Sequence, residues 1–441
     1  MRVPVVAVLA GTMVLVIGCA CKQPRTVSAI NSPFSLAEKD ALTDKEKKAI
    51  AGQKKILDEI MQLFAKHALE RPTDFTACVR EMFAMRRSKK CRDEFTYYST
   101  PEEAKRHDED SAGKFGGIGI EITREEDKIR VIAVIIGMPA AKAGIKIGDI
   151  ILKVDGEKPR SASEAASLIR GKLGTTVALT ISRGNDRKEF MFTLVRETVV
   201  VQAVRWRLSS IDKTIGIIEI RHFNKTAPLK FSEAVIDLAK KGVKNIIVDL
   251  RDNPGGLFGS ATSLLSFFAR DDDIIVTIRY RHSRSAITPR DVFSSAAKNL
   301  WMAPAWVARA FREDFLKKIG VVVLINKGSA SASEIFAGAM KDWGYPLVGE
   351  KSYGKGVGQD VITLSDGSRL TLTTFEFLVG NRMVAIRDNG VQPTTEVKSP
   401  EENRASGKDE RGDLQLMKAI EVLQSCGKKD PARSYECVRK R

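Results

Sequence analysis

Three short apolar runs in the second half of the chain limit what it can fold into: "TIGIIEI" (214–220), "VKNIIVDL" (243–250) and "GVVVLIN" (320–326). The last two lack polar alternation, which suits strands buried in a sheet, and their length suits strands better than helices. Between and after them come helical stretches. "PLKFSEAVIDLAKKG" is closed by Gly242, and "SATSLLSFFA" follows the turn "RDNPGG". Strand and helix in alternation imply an α/β core.

Upstream, residues 114–196 change character to short strands, "FGGIGIEI", "IRVIAVII", "DIILKVDG", "TVALTISR" and "KEFMFTLVR", interrupted by one helix, "SASEAASLIRGK". The stretch "GMPAAKAGIKIGDIILKVDGEKP", with its "AGIKIGD" turn and its strand ending in Asp155-Gly156, resembles a PDZ domain. On that resemblance "GGIG" at 116–119 is the carboxylate-binding loop, and the amides of Ile118, Gly119 and Ile120 form a nest for the C-terminal carboxylate of a peptide. Ahead of it, residues 36–113 read as helical. Thr43 and Glu46 have capping-box spacing, and Ile50, Ile56, Ile60, Phe64 and Ala68 form an apolar stripe. That stripe is a core-packing face, or alternatively the face of a homo-oligomer through the N-terminal helices. A second helical stretch runs from about Phe75 to Ser88.

The 441 residues suffice for two or three domains with their own cores. A formal charge of +17 raises nucleic acid or an anionic membrane as partners. No zinc-finger spacing or basic-aromatic interleaving supports nucleic acid, and the N-terminus argues against it. There, Arg2 precedes an apolar run from Val3 to Ile17, short of the roughly 20 residues of a spanning helix. It reads as a signal peptide over residues 1–18. "VIGC" resembles a bacterial lipobox, which makes Cys19 the lipidation site and leaves 19–35 as a linker. The expected address is the bacterial cell envelope, as a periplasmic lipoprotein anchored to a membrane by its acyl chains. Export makes disulfides Cys78–Cys91 and Cys426–Cys437 chemically permissible.

The stretch "INKGSASASEIFAGAM" (325–340) sets Ser329, Ser331 and Ser333 at alternate positions before a helical run. Ser331 with Glu334 fits a capping box, and the same helix start offers free amides and positive potential to an oxyanion. No histidine follows it in the chain, so a hydroxyl nucleophile here needs another base. Lys355 lies between two glycines in "GEKSYGKGVGQ". The spacing from Gly349 to Lys355 imitates a P-loop, but Gly356 replaces the required Ser or Thr and a strand follows, which excludes nucleotide binding. For the amine to serve as a neutral base near pH 7 or 8, its pKa must fall by roughly 3 units, at about 4 kcal/mol.

"GSASASEIFAGAM", "GEKSYGKGVGQ", "DLRDNPGG" and "FGGIGIEI", with a PDZ-like module ahead of the core, resemble the carboxyl-terminal processing proteases from about Leu36 to Val397. The resemblance implies a serine endopeptidase with a core similar to ClpP and crotonase over residues 197–425. It places the nucleophile on Ser331, the base on Lys355 and a supporting amide on Gln359. The oxyanion hole combines the amide of Ala332 with that of Gly255 or Gly256. Substrates would be proteins or peptides with free apolar C-termini, and neither metal nor cofactor is implied. Two departures stand out. Gly358 replaces a more usual valine, which would loosen the loop carrying Lys355. Residues 279–318 form a basic, tryptophan-containing insertion, read either as a cap or docking surface or as a packed insertion, and residues 426–441 form a basic tail. The rival reading is a catalytically silent PDZ scaffold, which retention of Ser331, Lys355 and Gln359 disfavours.

Overall fold

The computed structural model describes residues 44–70, 72, 74–83, 91, 95–125, 128–159, 161–184, 188–200, 202–296, 315–398 and 410–427. The signal peptide, Cys19, the linker, Thr43, both tryptophans of the insertion, Cys437 and the side chain of Cys426 lie outside these residues. The chain divides into two compact units, one of Met1–Lys105, Asp273–Thr288 and Gly354–Gly390, the other of Arg106–Asp272, Pro289–Tyr353 and Val391–Arg441.

The larger unit is built on the apolar runs. Strands Ile215–Ile220, Asn245–Asp249, Gly320–Ile325 and Leu347–Gly349 pair in parallel, with an antiparallel strand, Val204–Leu208, on one edge and a parallel one, Thr395–Glu396, on the other. All six residues of Gly320–Ile325 are buried, as an unalternating strand covered on both faces must be. One cover is helix Leu414–Gly427, whose Leu416, Ala419, Ile420 and Leu423 meet Ile217, Ile247, Val322 and Leu324. Another is a cluster of rings, Phe223, Phe231, Phe267, Phe268, Phe336 and Tyr345, carried largely by helices Ala227–Lys240 and Ala332–Asp342 and the end of Phe258–Leu265. The sequence-based α/β assignment therefore matches the observed layers.

The same unit contains a five-stranded antiparallel sheet in chain order from Ile120–Glu125 to Lys188–Val195, with a separate pairing of Lys114–Gly117 and Glu197–Val200. Helix Ala162–Ile169 begins at Ser161, whose hydroxyl accepts the Glu164 N–H at 3.1 Å. The "AGIKIGD" turn closes on Asp149. Its buried carboxylate takes two 2.7 Å bonds from the Arg183 guanidinium and a third from the Lys146 N–H. Burial alone would raise this carboxyl's pKa, but Arg183 and the Lys146 amide outweigh it and hold the group below the usual carboxylate range.

In the smaller unit, strand Arg369–Val379 pairs with Tyr97–Ser99, Val276–Tyr280, Val357–Thr363 and Val384–Ala385. Helix Asp44–His67 lays Ile56, Ile60 and Phe64, with Ala68 just past its end, into a core with Leu364, Leu370 and Leu372, so these residues of the stripe pack within their own chain. Helix Phe75–Phe83 joins this core, and Cys78 is bonded to Cys91 across a sequence separation of 13. The start of the supposed insertion is ordinary sheet: Val276–Tyr280 turns back into Arg284–Ile287, with Arg279 paired to Glu376.

Candidate active site

Strands Asn245–Asp249 and Gly320–Ile325 end side by side, and the turns that leave them are stitched together. Asn326 is the first stitch: its Oδ1 accepts from the N–H groups of Asp252 and Gly328, and its Nδ2 donates to Asp252 Oδ1 at 2.9 Å. Asn253, wholly buried, is the second. Its Nδ2 donates to the Ile220 carbonyl at 2.7 Å and its Oδ1 accepts the Gly255 N–H at 2.9 Å, while its own carbonyl accepts the Ala330 N–H and the Ser333 hydroxyl. Arg251, between them, is held by Asp249 and Asp413. Burial opposes its charge, but the two carboxylates prevail and raise its pKa.

These stitches separate the three serines. Ser329 is fully buried, its hydroxyl donating to the Leu250 carbonyl at 2.8 Å and accepting the Asn326 N–H at 3.0 Å. Ser333 is equally buried and donates to Asn253. Ser331, half-exposed, has φ 56° and ψ −115°, a conformation non-glycine residues rarely take. Its hydroxyl shares a capping box with Glu334 and donates its proton to no described residue. Such strain costs on the order of 1–3 kcal/mol and persists only where the surroundings impose it. Here they do. Gly255 packs so close that a Cβ would lie 2.7 Å from the Ala330 carbonyl and 2.9 Å from the Ala332 nitrogen.

Glu334 completes the turn and was legible only as a cap. It is fully buried, one oxygen accepting the Ser331 N–H at 2.8 Å and the other the Ser352 hydroxyl at 2.6 Å. Ser352 Oγ in turn accepts the Val391 N–H at 2.7 Å. The Glu334 N–H reaches the Ser331 carbonyl at 2.8 Å, within a capping box that also engages the serine side chain.

Of the two glycines in "NPGG", Gly255 has its amide committed to Asn253 Oδ1. Gly256 is fixed through its neighbours, since Phe223 N–H donates to the Gly255 carbonyl and Leu257 N–H to the Phe223 carbonyl. The amides of Gly256 and Ala332 meet no acceptor among the described residues. His222, next to Phe223, is held below the ordinary histidine pKa by burial. No cluster of three His, Cys, Asp or Glu among the described residues could hold a metal ion.

Lys355 belongs to the smaller unit. The carbonyls on both sides of it are anchored: Gly354 accepts from the Asp388 N–H and Gly356 from the Phe377 N–H, each at 3.0 Å. A Cβ at 356 would lie 2.0 Å from the Arg387 nitrogen, which explains that glycine by close approach. The Lys355 ammonium sits over the Phe95 ring, 4.3 Å from its centroid. Gln359, on the following strand, donates its amide to Thr373 Oγ1 at 3.2 Å. At Gly358 the Phe375 ring fills the place a side chain would take, 2.1 Å from an added Cβ, which gives this glycine a packing reason. At the PDZ-like loop, Gly119 has φ 80° and its carbonyl accepts the Ile135 N–H, while Ile118 is buried and its carbonyl accepts the Ala140 N–H.

Residues 214–397 match peptidase family S41, and residues 116–194 match a PDZ domain. Over 316 residues, 71% of this chain, the sequence is 33% identical to a probable CtpA-like serine protease of Staphylococcus haemolyticus and 32% identical to one of Staphylococcus aureus. The chain spans 59% and 58% of the lengths of those relatives. The photosystem II D1 C-terminal processing protease superposes with a TM-score of 0.48 at 23% identity, covering 80% of this chain and 95% of that one.

Proposed function

Because the chain belongs to peptidase family S41, the family of the carboxyl-terminal processing proteases, we propose that it is an exported serine endopeptidase working through a Ser331–Lys355 dyad. The observation that carries this reading is the contrast among the three serines. Of the three, only Ser331 combines a strained helix-start backbone with a half-exposed side chain whose hydroxyl proton no described residue accepts.

In this mechanism Ser331 Oγ attacks the scissile carbonyl as its proton passes to the neutral Lys355 amine. The amides of Ala332 and Gly256 stabilise the tetrahedral oxyanion, aided by the N-terminal end of helix Ala332–Asp342. Lys355 then returns the proton to the leaving amine, and water repeats the sequence on the acyl-enzyme. Gln359 supports the amine through its remaining carbonyl oxygen. The PDZ domain receives the substrate's free C-terminal carboxylate at the amides of Ile118, Gly119 and Ile120, which raises the local substrate concentration. Acylation at Cys19 would keep the enzyme at a membrane of the cell envelope.

Purified protein is incubated with an unstructured substrate ending in apolar residues, as free acid and as amide, beside Ser331→Ala and Lys355→Ala. Cleavage of the free acid, slower cleavage of the amide and loss in both variants are expected. No cleavage by the parent protein would instead favour a silent scaffold, and turnover in Lys355→Ala would remove the dyad.

A further inference from the structure

The protonation of Lys355 decides whether it can act, and within its own unit the structure sets an aromatic face against it. Phe95 belongs to the segment that emerges from the Cys78–Cys91 disulfide, four residues after Cys91. Cys91 is buried in the core formed by helices Asp44–His67 and Phe75–Phe83 and the strands below them. On the other side, Thr96 Oγ1 accepts the Thr373 N–H at 3.2 Å, and strand Tyr97–Ser99 pairs with Thr371, Leu370 and Arg369. Thr373 also receives Leu69 N–H at its carbonyl and Gln359 Nε2 at its hydroxyl. Phe95 is thus held on its C-terminal side through Thr96 and the strand beyond it, and the backbone of Lys355 is tethered through Gly354 and Gly356. The 4.3 Å between ammonium and ring centroid joins two fixed frames.

An ammonium over a ring face is attracted by the ring's quadrupole, whereas the neutral amine gains far less from it. We propose that Phe95 is a positioning residue for Lys355: its ring favours the protonated amine and so sets the pH at which the lysine becomes a competent base. The proposal rests on Lys355 having the role assigned above, although the ring's effect on protonation stands without it. Among the described residues, several charged groups on neighbouring elements have partners of their own. Arg387 is paired with Glu70 and lies 3.9 Å from Asp388, Glu376 is paired with Arg279, and Asp360 accepts from the Thr374 hydroxyl. Tyr97 and Tyr98 lie on the strand that follows Phe95.

The test reads the amine directly. The full chain, in its parent form and as Phe95→Leu, Phe95→Met and Phe95→Tyr, is labelled briefly with acetic anhydride across a pH series. The Lys355 peptide is quantified by mass spectrometry, and peptidase rates are measured over the same series. Losing the ring in the Leu form should move the labelling midpoint of Lys355 down by about 0.4–1.5 pH units, while the Tyr form, which keeps a ring, stays near the parent. The ascending limb of the rate profile should shift with it. The Met form fills the site flexibly and gives the same reading should Leu fail to fold. A midpoint unchanged in a folded Leu or Met form would overturn the proposal. A shifted midpoint with an unshifted rate profile would uphold the ring's effect and instead remove Lys355 as the base.

Discussion

Glu334 Oε2 accepts the backbone N–H of Ser331 at 2.8 Å, so a buried carboxylate fixes the strained peptide that presents the serine hydroxyl. Its second oxygen is held by Ser352, so truncation leaves both donors without an acceptor. We expect Glu334→Ala to cost about 2–3 kcal/mol of stability. Glu334→Gln should fold but lower kcat about tenfold with little change in KM, because only the aim of Ser331 suffers. Thermal melts and steady-state kinetics on the two variants test this; parent-like kcat in the Gln form would show that the carboxylate is only a cap.

The flanking serines should fail differently. Ser329 and Ser333 are wholly buried and fully used by Leu250, Asn326 and Asn253. Their replacement by alanine should cost about 1–3 kcal/mol each by orphaning those partners, whereas Ser331→Ala should melt close to the parent temperature, because its half-exposed hydroxyl only joins the capping box with Glu334. Rates corrected for folded fraction should be near parent for Ser329→Ala and Ser333→Ala and near background for Ser331→Ala. A comparable chemical defect in all three would deny the distinction.

The sequence exposed the α/β core and the PDZ-like segment because each rests on local pattern: apolar runs bounded by turns, and a glycine-spaced loop. It also exposed the serine triplet, but not which serine was free. That depends on contacts across the sheet, such as Ser329 to Leu250, 79 residues apart in sequence. Phe95 was invisible for the same reason. Nothing in its neighbourhood marks it, and its relation to Lys355 spans 260 positions of chain. The packing reason for Gly358 was hidden as well, because the Phe375 ring lies on the partner strand.

Acid should weaken the PDZ domain through Asp149. Its carboxyl is held below the usual range in the folded chain, so its contribution is complete above the ordinary carboxylate value of about 3.9. That contribution is lost as pH falls through the depressed folded value. Asp149→Ala should remove about 3 kcal/mol at neutral pH by leaving Arg183 without its partner. Urea midpoints of the full chain at pH 7 and near pH 3 provide the measurement. The gap between parent and variant should narrow in acid, and a constant gap would indicate a loss of packing rather than of charge.

The final prediction separates the two glycines that the sequence left equivalent. Alanine cannot do so, since both have positive φ, and added Cβ atoms would strike the Ala330 carbonyl from 255 or the Phe223 carbonyl from 256. Replacing one backbone N–H by an ester oxygen keeps the chain's shape and removes only the donor. At 255 that donor serves Asn253 Oδ1, so the ester should loosen the turn and lower the melting temperature, with a modest loss of rate. At 256 the donor meets no acceptor among the described residues, so the ester should leave stability unchanged. There it should reduce kcat about 100-fold, the usual cost of one oxyanion donor. The reverse pattern, a stable but slow 255 ester beside an active 256 ester, would transfer the oxyanion role to Gly255 and require Asn253 to release that amide during the reaction.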